Sequence, residues 1–350
     1  MPAKVAIVLF NLGGPDRPEA IKPFLVNLFT DPAILRVPFF VRPFLARAIA
    51  RRRLEPAQAN YAILGGRSPL LELTQQQGVA LQAALPDLDA RCFIAMRYWH
   101  PFSDEAARAV RDWQPDEVVL LPLYPQYSTT TTGSSLSAWH EAAARAGLVA
   151  RTSVLCCYPI DAAYVVATVG LLRTAYDAAR ATLDPSIGLR VLFSAHGLPE
   201  VIVRRGDPYQ WQIEQTVSRI VAAWGHDLDW AICYQSRATP QRWIEPSTEA
   251  ELERAAHDKV AVLVVPIAFV SEHSETLVEL DVDYRLVAER LGIPGYFRVP
   301  THNADAAFIA ALAALVRHAR SSGPGMSSAA GVRICPPDRR NCPFAPAGAA

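Results

Sequence analysis

Apolar runs of strand length recur along this chain, each followed by a stretch with helical spacing. That alternation predicts an α/β fold with parallel sheets. Strands are predicted at 5–11, 92–97, 118–123, 191–195, 231–234 and 260–267. They fall into two sets of three whose ends resemble each other. VAIVLFNLGGP answers VLFSAHGLP, FIAMRYWHP answers AICYQSRATP, and VVLLPLYPQYS answers VAVLVVPIAFVSEHS. Each run closes on Pro, Gly or small polar residues at its C-terminal end, where open α/β sheets bind ligands. The pattern predicts two similar Rossmann-like, doubly wound parallel-sheet domains facing each other across a central cleft. Two unrelated α/β halves are the other reading. The expected boundaries are 1–155, 156–302, an Ala/Leu-rich helix at 303–320, and 321–350. In the last segment SSGPGMSSAAG reads as a flexible linker and ICPPDRRNCPFAPAGAA as a Pro- and Cys-bearing tail.

Composition narrows the function classes. At 350 residues the chain is long enough for two cores, and its formal net charge of zero offers no basic field for nucleic acid. No apolar run approaches the roughly 20 residues that span a bilayer. The start, MPAKVAIVLFNLGG, does not read as a secretory signal, so a cytoplasmic location is expected. Six irregularly spaced cysteines do not suggest a disulfide framework.

The segment FVSEHSETLVELDVDY at 269–284 gathers Glu272, His273, Glu275, Glu279, Asp281 and Asp283 after an apolar strand. If it is an α-helix, Glu272, Glu275 and Glu279 line one face and repel unless a cation compensates. Carboxylate and imidazole together suit a divalent first-row metal. His196 closes another buried strand, held between Ser194-Ala195 and Gly197-Leu198-Pro199. A lone His there also reads as one bonded to a neighbouring carbonyl. The second His-bearing strand end favours convergence of His196 and Glu275 on one ligand. Arg97 and Tyr98, with Trp99 and His100, suit a flat anionic ligand, since guanidinium stacks on aromatic faces and pairs with carboxylate. The glycine turn at 60–69 lacks the spacing of a nucleotide-binding loop. Between residues 34 and 53 lie Arg36, Arg42, Arg47, Arg51, Arg52 and Arg53 with no acid, interleaved with Phe39, Phe40 and Phe44. This basic, aromatic element suits an anionic membrane surface or a greasy ligand entrance, and equally a plain surface helix.

These motifs together resemble the ferrochelatase family. FSAHGLPE with RRGDPY resembles its signature strand end, PIAFVSEHSETLVELDVDY its acidic signature, MRYWHP its porphyrin-facing loop and PQYSTTTTGSS its glycine-serine loop. The resemblance runs from Asn11 to about Pro300. It implies insertion of Fe2+ into protoporphyrin IX with release of two protons, a lyase reaction ending haem biosynthesis. It assigns His196 and Glu275 to the catalytic and metal site, and Glu272, His273, Glu279 and Asp283 to the groups behind it and an acidic path. Arg53, Tyr61, Ser68, Arg97 and Tyr98 match positions that hold or border the porphyrin, and the element around 34–53 becomes the lip of its entrance.

The resemblance leaves points open. Coproporphyrin III is an alternative substrate, another tetrapyrrole and metal a further one, and a non-catalytic porphyrin or iron carrier an alternative class. Some members hold a 2Fe-2S cluster on four cysteines. Here Cys156, Cys335 and Cys342 are candidate remnants, but Phe344 occupies an expected Cys position, so no cluster and no required cofactor are expected. The expected partners are porphyrin and ferrous iron, with peripheral contact to the inner membrane, no nucleic acid, and an open oligomeric state.

Overall fold

The computed structural model describes residues 3–236 and 241–344. The last four residues of AICYQSRATP and the last six of the Cys-bearing tail lie outside the described residues. In chain order the strands are β1 (Lys4–Asn11), β2 (Asp89–Met96), β3 (Glu117–Pro122), β4 (Arg151–Leu155), β5 (Leu189–His196), β6 (Trp230–Gln235), β7 (Ala261–Pro266), β8 (Tyr296–Arg298) and β9 (Gly325–Ser327). The helices are α1 (Ile21–Thr30), α2 (Arg42–Ile63), α3 (Leu70–Ala83), α4 (Ser103–Trp113), α5 (Thr132–Ala146), α6 (Ala162–Thr182), α7 (Glu200–Arg204), α8 (Tyr209–Trp224), α9 (Thr248–His257), α10 (Tyr284–Arg290) and α11 (Ala306–Ser321). A π-helix spans Glu275–Asp283.

Two compact units result. One holds the residues up to Cys157, Leu312–Arg333 and the segment from Pro343; the other holds Tyr158–Ala311 and Ile334–Cys342. The first unit carries a parallel sheet of order β2-β1-β3-β4-β9, the second a parallel sheet of order β6-β5-β7-β8. The two sheets repeat one arrangement. In each the first strand of the unit is central, the next lies on one side, and the third on the other. Even the register repeats, with Asn11 opposite Met96 and His196 opposite Gln235 at the strand ends.

Burial explains why these runs form central strands. Val5, Ala6, Ile7, Val8, Leu9 and Phe10 are all unexposed, as a parallel strand covered on both faces requires. In the second sheet Val191, Phe193 and Ala195 pack with Leu172 of α6 and Ile213 and Val217 of α8. Leu192 faces the other way, onto Leu252 of α9 and Tyr284 and Ala288 of α10. Each Val, Leu, Ile or Phe among them contributes about 1.5–3 kcal/mol when fully buried. In the first sheet, α4 and α5 cover Val8, Phe10 and Leu120 through Val110, Leu136 and Trp139. α3 reaches the opposite face through Gly78, where an added Cβ would lie 3.3 Å from Cys92 Cβ and 3.5 Å from Leu9 Cδ1.

Two expectations need correction. SSGPGMSSAAG is not a linker: Gly325–Ser327 within it forms β9, paired with Ser153, Val154 and Leu155 of β4. Three residues with one apolar side chain carry too little pattern to read as a strand. β4 and β8 were absent from the predicted set for the same reason, since Arg151-Thr152-Ser153 and the three-residue β8 hide their apolar content.

Candidate active site

The central strands β1 and β5 end where the chain order reverses, the place in each sheet where loops diverge and leave room for a ligand. His196 is the last residue of β5. Its carbonyl accepts a hydrogen bond from the Tyr209 hydroxyl at 3.0 Å, and the next residue, Gly197, donates its N–H to the Gln235 carbonyl at 2.8 Å. A Cβ at Gly197 would stand 2.7 Å from that same carbonyl oxygen and 3.2 Å from Trp243 Cε3. Only glycine lets the chain leave the sheet here, and that exit fixes the base of His196.

Opposite it stands the acidic segment, wound as a π-helix rather than an α-helix. The Tyr284 N–H reaches back to the Glu279 carbonyl, the i to i+5 pattern that marks such helices, which concentrate at functional sites. The first helical residue, Glu275, places Oε2 2.9 Å from His196 Nδ1 and 3.9 Å from His273 Nε2. When His196 is neutral and its Nδ1–H donates a hydrogen bond to the Glu275 carboxylate, Nε2 keeps a lone pair. The His196 side chain remains 37% exposed, so that lone pair is open to a ligand or a proton.

Burial alone would lower the His196 pKa, but the charge and hydrogen bond of Glu275, with Glu279 further off, raise it above the ordinary imidazole value. For Glu275 burial pushes upward, and the His196 and His273 imidazoles outweigh it and hold the carboxyl well below the usual range. Glu279 goes the other way. Burial and the neighbouring Glu275 charge push it up to about 7, against hydrogen bonds from Ser236. Burial, outweighing the nearby Glu275 and Glu272 charges, keeps His273 below the ordinary imidazole value, and its ring lies 4.5 Å from that of Phe269. Among the described residues no set of three or more His, Cys, Asp or Glu side chains gathers as a metal cage.

Glu279 is held by groups that sequence reasoning passed over. Ser236 donates its N–H to Oε1 at 2.9 Å and its hydroxyl to Oε2 at 2.5 Å, while the Gln235 amide donates to Oε2 at 3.3 Å. Gln235 in turn accepts from the Ser194 hydroxyl at 2.7 Å. Ser236 adopts φ of 64°, the left-handed region that non-glycine residues rarely occupy, and this lets one residue direct two donors at one carboxylate. A non-glycine residue in that conformation leaves no mark in the sequence.

The single row of three carboxylates does not form. The helix starts at Glu275, so Glu272 sits in the preceding loop. There it pairs with Arg298 Nη1 at 2.9 Å and accepts the Thr301 N–H at 2.9 Å. Despite burial, the Arg298 charge lowers its pKa. Arg298 also grips both oxygens of Asp281 at 2.7 Å, tying the π-helix to β8. Asp283 is exposed at the far end of the helix, and partial burial raises its pKa.

In the first unit, four of the five predicted porphyrin residues gather at the C-terminal end of β1. Arg97 and Tyr98 donate their N–H groups to the Asn11 and Leu12 carbonyls, each at 2.9 Å. Ser68 lies so close that a Cβ on Gly14 would be 2.5 Å from its own Cβ, with the Tyr61 hydroxyl 3.9 Å away. Arg53 is half-buried on α2. Tyr98 is 1% exposed and packs with Phe24, Tyr61 and Trp99, so its ring supports the wall rather than forming its surface. Arg97 is partly exposed on a cleft of about 730 Å³ lined mainly by residues of α4 and α5, Asp104, Glu105, Ser134 and Glu141 among them; Arg53, Tyr61 and Ser68 do not line it.

The basic element runs through the turn before α2 and into that helix. Phe39 and Phe40 in the turn and Phe44 on α2 are 78%, 63% and 75% exposed. Arg42 is spent on the turn, donating to the Leu35 and Val37 carbonyls at 3.2 and 3.0 Å. No helix among the described residues is long and apolar enough to cross a membrane. Cys156 and Cys157 are buried neighbours with their sulfurs 3.4 Å apart, packed with Tyr127 and the Phe344 ring. Cys335 and Cys342 belong to the other unit, where the Gln212 amide donates to the Cys335 sulfur at 3.2 Å.

Comparison with known proteins identifies the family. The ferrochelatase family model matches residues 4–320. A ferrochelatase from Caulobacter vibrioides is 49% identical over 348 residues, covering 98% of both chains. One from Hyphomonas neptunium is 48% identical, covering 99% of this chain and 96% of that protein. Among solved structures, SirB from Bacillus subtilis with Fe3+ aligns with a TM-score of 0.51 and 11% identity over 91% of this chain and 95% of the other. The sirohydrochlorin chelatase SirB of Bacillus subtilis subspecies spizizenii in complex with cobalt gives 0.50 and 14% identity, with 91% and 96% covered. At these identities the structural likeness speaks for the fold alone.

Proposed function

Because this chain belongs to the ferrochelatase family, we propose that it inserts Fe2+ into protoporphyrin IX to give protohaem and two protons, the terminal step of haem biosynthesis. The observation that carries the proposal to particular residues is the His196–Glu275 pair at 2.9 Å. Metallation exchanges two pyrrole N–H protons for one divalent cation, so the site must accept protons and stabilise positive charge. His196 Nε2 has the free lone pair for the first task. Glu275 raises its basicity and, as the buried anion, balances an imidazolium or an arriving cation. Two donors make a site that holds a divalent ion in transit, as a substrate ion requires. Glu279, poised near neutral pH, takes protons from His196 and releases them along the π-helix toward exposed Asp283.

On this reading Arg97, Ser68 and Tyr61 form the porphyrin wall at the end of β1, with Tyr98 behind it and Arg53 on α2 beside it. The lip carrying Phe39, Phe40 and Phe44 with Arg47 and Arg51 rests on an anionic membrane surface, apolar rings inward and guanidinium groups at the headgroups. The cysteines do not fit a stable 2Fe-2S cluster. Phe344 stands where a fourth thiolate is needed, and adjacent Cys156 and Cys157 are poorly placed to serve one iron together. The enzyme then needs no resident cofactor, and acid-labile sulfide in anaerobically purified protein would contradict this.

Anaerobic incubation with ferrous iron and each candidate porphyrin, followed by loss of porphyrin fluorescence, tests the function. Turnover of protoporphyrin supports it. Preference for coproporphyrin III moves the chain to that substrate, and binding without turnover makes it a carrier.

A further inference from the structure

We infer that Arg298 is a positioning residue for Glu275, acting through Glu272 and Asp281. Its role rests on the reading of Glu275 as the partner of His196 in metallation. Arg298 closes β8, and its side chain is 10% exposed. Its Nε and Nη2 donate to the two oxygens of Asp281, each at 2.7 Å. Nη1 donates to Glu272 Oε1 at 2.9 Å and to the Val299 carbonyl at 3.2 Å. These bonds occupy most of the planar fork and leave it one orientation. Glu272 precedes the π-helix and Asp281 lies in its last turn, so Glu275 sits in the span that one guanidinium bridges.

A π-helix of nine residues needs outside support, because such bonding is usually confined to a single turn. Where it gives way to the i to i+4 bonding of α10, one carbonyl is skipped. The last π bond takes the Glu279 carbonyl, and the next, that of Leu280, accepts the Tyr296 hydroxyl at 2.5 Å. Tyr296 and Arg298 lie on the same short strand, so β8 grips the helix at two adjacent residues, Leu280 and Asp281. That grip fixes how the helix is rotated, and with it the direction in which Glu275 reaches His196 Nδ1 at 2.9 Å. Arg298 spends its bonds on none of His196, Glu275 or Glu279, and so acts on the chemistry only through the backbone it holds. A displacement of about 1 Å at a reacting group can cost about 10²-fold in rate, which gives such a clamp its weight.

The test is steady-state metallation by the full-length protein under anaerobic conditions, with porphyrin and ferrous iron varied separately. Arg298→Met is expected to lower kcat about thirtyfold while KM for porphyrin stays within about twofold. Asp281→Asn, nearly the same in shape, should lower kcat about fivefold and serves if Arg298→Met fails to fold. Glu275→Gln should lower kcat by at least about 10², and adding Arg298→Met to it should slow the enzyme no further. Arg190→Met separates positioning from mere stability. Arg190 also bridges two carboxylates, Asp229 at 2.9 and 3.0 Å and Asp258 at 2.9 Å, but near the opposite end of β5. Its loss should lower the unfolding midpoint and leave kcat within about twofold. If Glu275→Gln leaves kcat unchanged, the reading of Glu275 fails and the role of Arg298 falls with it. If Glu275→Gln slows metallation but the Arg298 and Asp281 variants do not, or Arg190→Met slows it as much, or the penalties multiply in the double variant, the role of Arg298 alone is overturned.

Discussion

His196 Nδ1 and Glu275 Oε2 lie 2.9 Å apart although 79 residues separate them in the chain. One comes from the end of the central strand β5 and the other from the first turn of the π-helix. Each shifts the other toward its charged form, so the pair can pass between imidazole–carboxylate, with the Nε2 lone pair available, and imidazolium–carboxylate, with Nε2 carrying the accepted proton.

The Glu279 carboxyl makes the stability of the fold depend on pH. Its folded pKa of about 7 exceeds the ordinary value of 4.5, so the folded state holds the proton more tightly than the unfolded chain. Its contribution is fully present below about pH 4.5 and is lost as pH rises through 7. Glu279→Gln removes that loss. Thermal melts should show the variant gaining on the unchanged protein by on the order of 1 kcal/mol between pH 5 and pH 8, a figure reduced for partial solvent access. Equal differences at both pH values would show that Glu279 titrates normally.

Gly197 has no room for a side chain. Gly197→Ala places a methyl 2.7 Å from the Gln235 carbonyl oxygen, so either β6 or the His196 loop must move. The expected cost is about 1–3 kcal/mol in denaturant unfolding, together with a metallation rate lowered far more than porphyrin affinity. A variant with both properties intact would mean the strand end tolerates displacement.

The lip predicts a salt-sensitive membrane contact. With three Phe rings more than 60% exposed beside Arg47 and Arg51, the protein should co-sediment with vesicles containing anionic lipid and be released by high salt. Arg47→Glu with Arg51→Glu should abolish the binding, and Phe39→Ser with Phe44→Ser should weaken it even at low salt. Binding that ignores both pairs would place the contact elsewhere.

Much of this was legible in the sequence because buried parallel strands are continuous apolar runs. The six strands with such runs were placed to within a few residues, and their paired endings foretold two sheets with one topology. The juxtaposition of His196 with Glu275 followed from equivalent strand ends. What stayed hidden depends on backbone conformation or long-range pairing. The α-helical period put Glu272 beside Glu275 and Glu279, whereas the π-helix begins later and Arg298, 26 residues on, claims Glu272. Asp31, which the Tyr98 and Ser134 hydroxyls reach, was not singled out because those partners lie 67 and 103 residues away, nor Ser236 because nothing in its neighbours announces φ of 64°. Gly325–Ser327 read as linker because three residues become a strand only when β4 offers its edge.

The central claim is that His196 and Glu275 together move iron and protons, apart from the groups that bind the porphyrin. The direct measurement uses His196→Ala under anaerobic conditions, with porphyrin binding followed by fluorescence on mixing and metallation by its decay after ferrous iron is added. The account predicts porphyrin affinity within about threefold of the unchanged protein and metallation reduced by at least about 10³, as loss of an essential proton acceptor should give. Metallation at a near-normal rate in His196→Ala would contradict it.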